Sequence, residues 1–225
     1  MREFVRLMIP KMASHPVDPL TFLIFNSIAS GMAAGSLSSL SFARNFQSVP
    51  VSLVGAAFSV AAFPLLSQAF AAGDRAAFMR LVRTNTATIG VLSVAAAIGL
   101  AIVGGLAIRV LLGGGAFDEE DSARTSAVLA VMACSIPFEG LSHLFARALY
   151  ATRTTILPVG AAVAGLGVTI VSVSALVPPL GILAIPLAYT LGMAVRAVLL
   201  ALALAGRARR VGVAGGVASL GEAVG

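Results

Sequence analysis

The sequence predicts an all-α protein that crosses a membrane several times, and three observations carry that reading. Of its 225 residues, 59% are hydrophobic and only 11% are charged, against about 25% charged in a soluble domain. The mean hydropathy is +1.01. The apolar residues gather into runs of roughly 20 or more, the length a helix needs to cross the hydrocarbon core, and short segments between the runs hold most of the charge.

Six spans are expected, at roughly 7–32, 46–70, 86–112, 125–150, 156–177 and 181–205. The first is irregular, because Pro10, Pro16 and Pro19 cannot all sit in one unbroken helix. A bent or two-piece helix is expected there, with the freed backbone groups satisfied by neighbouring protein. His15 and Asp18 fall in that broken part, which makes Pro10, Pro16, Asp18 and Pro19 candidates for a gating hinge. Asn26, further along, is expected to hydrogen-bond between helices. The second span lies in "SFARNFQSVPVSLVGAAFSVAAFPLLSQ" (41–68) and opens on Arg44, Asn45 and Gln47, with Pro50 a further hinge candidate.

The connections differ in character. "AAGDRAAFMRLVRTNT" (71–86) is basic and amphipathic, so its first part is expected in the membrane interface. "GGGAFDEEDS" (113–122) is acidic, "VPPLG" (177–181) reads as a tight uncharged turn, and "ALYATRTT" (148–155) and "GRARR" (206–210) are basic. Six spans place alternate connections on the same side. One side then gathers Arg2, Arg6 and Lys11, Arg75, Arg80 and Arg83, Arg147 and Arg153, and Arg207, Arg209 and Arg210. The other gathers Asp118, Glu119, Glu120 and Asp121, with Arg109 and Arg124 nearby. By the positive-inside rule both termini are cytoplasmic. Residues 1–206 then form a six-helix transmembrane lobe, and the Gly/Ala/Val-rich residues 207–225 a flexible cytoplasmic tail. A cleaved signal peptide is not expected, since Glu3, Lys11, His15 and Asp18 interrupt what would be its apolar core.

Several functions are disfavoured. No HExxH, G-x-S-x-G, P-loop or CxxC pattern occurs, so no catalytic residue is assigned and no enzyme is expected. Two histidines far apart in sequence make a metal site improbable, and nothing calls for a cofactor. The arginines are scattered between apolar runs, which fits topology signals and not a nucleic-acid surface. The single Cys134 reads as an inert packing thiol.

What remains is a set of polar groups at or within apolar segments, which are costly there and by default face a cavity or a partner. Arg44, Asn45 and Gln47 admit two readings: Arg44 snorkels to headgroups from a helix end, or the three line an anion site where a planar guanidinium grips phosphate oxygens. Glu139, His143 and Arg147, at i, i+4 and i+8, form one polar stripe on a helix. The stripe is either a self-satisfying ladder or the wall of a cavity that binds a headgroup or relays a proton. Arg196 lies near the middle of the last span and needs a partner; Asp18 and Glu139 are the acids expected at that depth.

In order along the chain, several stretches resemble the MviN/MurJ family of lipid II flippases. "LMIPKM" is similar to the start of the family's second lobe. "IASGMAAGSLSSLSFARNFQSVPVSLVGAAFSVAAFPLLSQ" resembles its strongest block, with Ala43, Pro50, Gly55 and the Phe63-Pro64-Leu65-Leu66-Ser67 ending. "GGGAF" at 113–117 resembles a GxF loop, and "RALYATRTTILP" a segment that fits Arg147, Tyr150, Ala151 and Pro158. The likeness spans about residues 5–206.

The resemblance implies one lobe, the C-terminal one, of a two-lobe exporter fold of the multidrug/oligosaccharidyl-lipid/polysaccharide superfamily. Such proteins move an undecaprenyl-pyrophosphate-linked sugar-peptide across the bacterial inner membrane by alternating access through a cationic cavity. The implied partners are that anionic polyprenyl-linked lipid, membrane lipids, and a missing N-terminal lobe or a second copy. Arg44 would then meet the anionic headgroup. Two departures stand out. Many members carry Asp-Arg where this chain has Arg44-Asn45, and one position along a helix turns a side chain by about 100°. The acid of the family's Asp-Thr pair is also absent at Arg153-Thr154. The rival expectations are export of another polyprenyl-linked saccharide or of a small cationic drug, and a transport-dead scaffold for cell-wall enzymes. The basic excess argues against drug export, and the scaffold predicts that Arg44, Glu139 and Arg196 pair with one another or face away from any cleft.

Overall fold

The structure, a computed structural model, describes residues 17–112 and 119–222, and all regular structure among them is helical. Helix α1 (Val17–Ser30) carries Asp18 and Pro19 in its first turn. A proline there has no intrahelical N–H to lose, so Pro19 opens a helix where the sequence suggested a break. Pro10, Pro16 and His15 lie outside the described residues.

After a turn at 31–35, α2 (Ser36–Pro50), a π-helical turn (Val51–Ala56) and α3 (Ala57–Ala71) form one rod of 36 residues. Pro50 removes a backbone donor, and the chain absorbs the disturbance in a widened turn just beyond it. The rod begins ten residues before the expected span at 46. In its serine-rich start, buried Ser39 accepts from Thr125 at 3.0 Å, and Ser41 donates to the Leu37 carbonyl of its own helix at 2.8 Å.

Helix α4 (Arg75–Leu112) runs 38 residues without interruption. The basic stretch expected to lie in the interface is therefore the first part of the same helix. Gly73, at φ 68°, turns the chain, and the Asp74 carboxylate then caps α4 by accepting from the Ala77 amide at 2.8 Å. Helix α5 (Glu119–Ala133) starts on Glu119, Glu120 and Asp121, acids that suit the positive end of its dipole. A break at Cys134–Ser135 leads into α6 (Ile136–Ala151). Cys134 is exposed at that break and is not a packing thiol.

Helix α7 (Ile156–Leu180) continues through Pro178 and Pro179; the reversal comes at Gly181, φ 54°, and the 3-10 turn Gly181–Leu183. Helix α8 (Ala184–Glu222) then packs back on α7. A Cβ on Gly165 would stand 2.9 Å from the Gly192 carbonyl oxygen, and one on Gly192 2.7 Å from the Gly165 carbonyl oxygen, so only glycines permit this approach. The backbone of α8 is helical through Glu222, past the expected tail boundary at 206/207, with no proline to stop it.

Among the described residues four apolar stretches are long enough to cross a bilayer: Ser36–Ala71, Arg75–Val110, Glu119–Ala151 and Ile156–Arg207. The last folds back at Gly181 into two arms, each long enough to cross on its own. With α1, 14 residues in its described part, this fits a lobe of about six helices embedded in a membrane. The connections alternate between two ends. Arg124 donates to the Ala34 carbonyl at 2.8 Å, joining the start of α5 to the α1–α2 turn, and Arg207 reaches the Thr152 carbonyl at 3.5 Å, joining α8 to the end of α6.

Two large apolar cores, with a small cluster of Val51, Ala133 and Ile136 beside them, fill the described lobe. One, around Leu66, Phe78, Ile89, Leu149 and Leu200, joins α3, α4, α6 and α8. The other, around Phe25, Leu40, Leu129, Met132 and Tyr189, joins α1, α2, α5 and α8. Between them the π-helical turn crosses α6 so closely that a Cβ on Gly55 would lie 2.7 Å from the Gly140 Cα.

Candidate functional site

Four helices bring polar side chains together at the junction of the two cores. Gln47 of α2 is buried, and its amide donates to Glu139 Oε2 at 2.8 Å and to Ser135 Oγ at 3.0 Å. Ser135 in turn donates to the Met132 carbonyl at 2.7 Å. Both amide hydrogens are thus used, and the Glu139 carboxylate is held from a different helix. Of the two readings of the α6 stripe, the ladder finds no hydrogen bond between Glu139 and His143 among the described residues; Glu139 accepts from Gln47. His143 packs instead against the π-helical turn, its Cδ2 at 3.6 Å from where a Cβ on Gly55 would stand. Arg147 lies a further turn along, within electrostatic range of His143.

Arg196 of α8 donates through Nη1 to Asp18 Oδ1 at 2.7 Å. Of the two acids expected to serve it, Asp18 does. The two side chains are unequally covered, Arg196 at 17% exposure and Asp18 at 46%. Arg196 Nε is buried and has no hydrogen-bond partner among the described residues.

Arg44 stands in the third turn of the Ser36–Ala71 rod and not at the mouth of a span. Its guanidinium lies against the face of Phe22, a cation–π contact from α1. Asp18, Glu139 and Tyr189 are within electrostatic range, yet Nη1 is buried and unpartnered among the described residues. A buried donor left without an acceptor costs about 1–3 kcal/mol, a cost that a bound oxyanion would remove.

Asn45, one position on, is exposed and makes no side-chain hydrogen bond among the described residues. The structure therefore separates it from Arg44 and Gln47. Asn26 is likewise exposed and joins no interhelical bond among the described residues. Of the hinge candidates, Pro50 marks a real irregularity in its rod, whereas Asp18 and Pro19 sit in an intact first turn.

Three contributors escaped the sequence reading. Ser135 and Phe22 look like ordinary span residues. Tyr189, fully buried beside Phe22 with ring centroids 5.3 Å apart, carried a signal: a phenol in mid-span wants a polar neighbour. Glu139 is that neighbour. The arrangement offers two guanidiniums with spare donors, flanked by two carboxylates that are already engaged.

Comparison with known proteins gives a consistent picture. The family described as "Lipid II flippase MurJ" matches residues 1–221. A probable lipid II flippase MurJ of Thermotoga maritima is 29% identical over 156 residues, covering 69% of this chain and 32% of that protein. The corresponding protein of Rickettsia prowazekii is 26% identical over 150 residues, 66% of this chain and 29% of that one. The chain thus spans about a third of the length of these relatives. A solved structure titled "Lipid II flippase MurJ, inward closed conformation" shares the fold with a TM-score of 0.79 at 21% identity, over 94% of this chain and 46% of that chain.

Proposed function

The chain belongs to the lipid II flippase MurJ family, and on that premise we propose that it forms the carboxy-terminal lobe of a lipid II flippase. It works as a transporter and not as a catalyst, carrying an undecaprenyl-pyrophosphate-linked sugar-peptide across the bacterial inner membrane by alternating access. Residues 1–206 are the transmembrane unit, both termini are cytoplasmic, and a second lobe completes the cavity. Residues 207–225 extend on the cytoplasmic side.

The observation that carries this reading is the pair of arginines at the core junction. Among the described residues Arg44 and Arg196 each keep a buried donor without a partner, and a diphosphate has the oxygens to take both. Gln47, Glu139 and His143 complete that wall, with Arg147 a turn further along. The scaffold alternative requires these arginines to be satisfied within the protein, and the spare donors weigh against it.

The test is complementation. The chain is co-expressed with a complementary amino-terminal lobe in a bacterium depleted of its own lipid II flippase, and growth and lipid II translocation are followed. Rescue that Arg44→Ala abolishes at equal protein level is the expected result. Well-expressed wild type that fails to rescue would remove lipid II as the substrate. Rescue indifferent to Arg44→Ala would remove Arg44 from the site.

A further inference from the structure

One face of α1 occupies both arginines. Asp18 and Phe22 stand four residues apart and so leave α1 in the same direction. Asp18 takes Arg196 from α8 at 2.7 Å, and Phe22 lies against the Arg44 guanidinium from α2. Neither engagement saturates its arginine. Among the described residues Asp18 uses Nη1 alone, leaving Arg196 Nε buried and unpartnered, and Arg44 Nη1 is in the same condition. A guanidinium binds an oxyanion best through two parallel N–H bonds, and neither arginine makes such a fork among the described residues. The Arg196 guanidinium is approached from the Asp18 side, where the carboxylate is 46% exposed. Asp18 also sits in the first turn of α1, where the helix dipole continues to favour its carboxylate once Arg196 is released.

Resting on the phosphate-holding reading above, we propose that α1 is a built-in stand-in for the ligand: Asp18 holds the oxyanion position at Arg196, Phe22 covers Arg44, and a diphosphate takes both guanidiniums by displacing that face of α1. The chemistry that displaces it is a phosphate or diphosphate oxyanion, shared by a polyprenyl diphosphate lipid and by free pyrophosphate. The consequence has an unusual sign. Removing the Asp18 carboxylate removes a competitor, so the variant binds the anion more tightly than the wild type does.

The experiment uses the chain co-expressed with the complementary amino-terminal lobe and reconstituted in phosphatidylcholine nanodiscs, titrated with inorganic pyrophosphate by calorimetry, with thermal unfolding measured on the same samples. Asp18→Asn is expected to tighten binding about tenfold, roughly the effect of one lost charge-assisted competitor. Asp18→Glu restores wild-type affinity, while Arg196→Gln and Arg44→Gln weaken it. Hydrogen exchange in the first turn of α1 rises when pyrophosphate is added to the wild type. Discs doped with undecaprenyl diphosphate identify the source: loss of pyrophosphate binding there assigns the site to the lipid, and unchanged binding assigns it to the free anion, displacement being upheld in both. If Asp18→Asn binds no tighter while Arg196→Gln weakens binding, the displacement is wrong and the phosphate-holding reading stands. If wild type and Asp18→Asn bind neither probe, both are wrong. Should Asp18→Asn fail to fold, the exchange result in Asp18→Glu decides, and an α1 whose exchange ignores pyrophosphate overturns the proposal.

Discussion

Gln47 illustrates how a single amide can hold a charged residue inside a membrane protein. Its two donors go to Ser135 and one oxygen of Glu139, so the carboxylate is held by a neutral amide, and among the described residues no salt bridge ties it to a cation. A hydrogen bond to a charged group is worth about 1.5–3 kcal/mol. Gln47→Leu should therefore lower the unfolding free energy by an amount in that range, with a matching fall in the thermal midpoint, and adding Glu139→Leu should recover part of the loss. Thermal unfolding in detergent checks both, and a double variant less stable than the single one would show that Glu139 has another support. Neighbouring Asn45 gives the contrast. It is exposed, so Asn45→Ala should leave complementation unchanged where Arg44→Ala abolishes it. The charges in this site were legible in the sequence because each is costly at membrane depth, and the partner of Arg196 could be narrowed to two acids on that ground alone. The Gln47–Glu139 bond was not legible. It joins residues 92 apart, and nothing local to either indicates that their helices cross at that height.

That height is set by elements packing on elements. The π-helical turn after Pro50 presents Gly55 to Gly140 of α6, where a Cβ would stand 2.7 Å from backbone. Backbone cannot swing aside as a side-chain end can. Gly55→Ala should thus separate the two helices and cost about 1–3 kcal/mol, and the Gln47–Glu139 bond should weaken with it. Thermal unfolding of Gly55→Ala in the wild-type and Gln47→Leu backgrounds measures that coupling: a smaller effect in the second background is expected, and strict additivity would show the crossing and the bond to be independent. Element number was readable from the apolar runs, since each crossing needs about 20 such residues. Element boundaries were hidden. The serine-rich start at Ser36 and the arginine-rich start at Arg75 look like connections, yet both are helix, since composition reports solvent and not hydrogen bonding.

At the scale of the whole lobe, the arginine ties Arg124–Ala34 and Arg207–Thr152 mark opposite ends. The end that holds Arg75, Arg153 and Arg207 should face the cytoplasm by the positive-inside rule. In a Cys134→Ser background, single cysteines at the exposed positions Gly73 and Arg153 should resist a membrane-impermeant maleimide applied to intact cells. Cysteines at the exposed positions Ser30 and Gly181 should react, and the reverse pattern would invert the orientation. The ion pair between Asp18 and Arg196 adds a consequence for biogenesis. Its partners are separated by 178 residues, and ribosomes add about 5–20 residues per second. For roughly 10 to 35 seconds of synthesis, Asp18 is in the nascent chain before its guanidinium has been made. During that interval the insertion machinery, water or a passing headgroup must shelter the carboxylate, and α1 takes its final seat only when the last helix arrives.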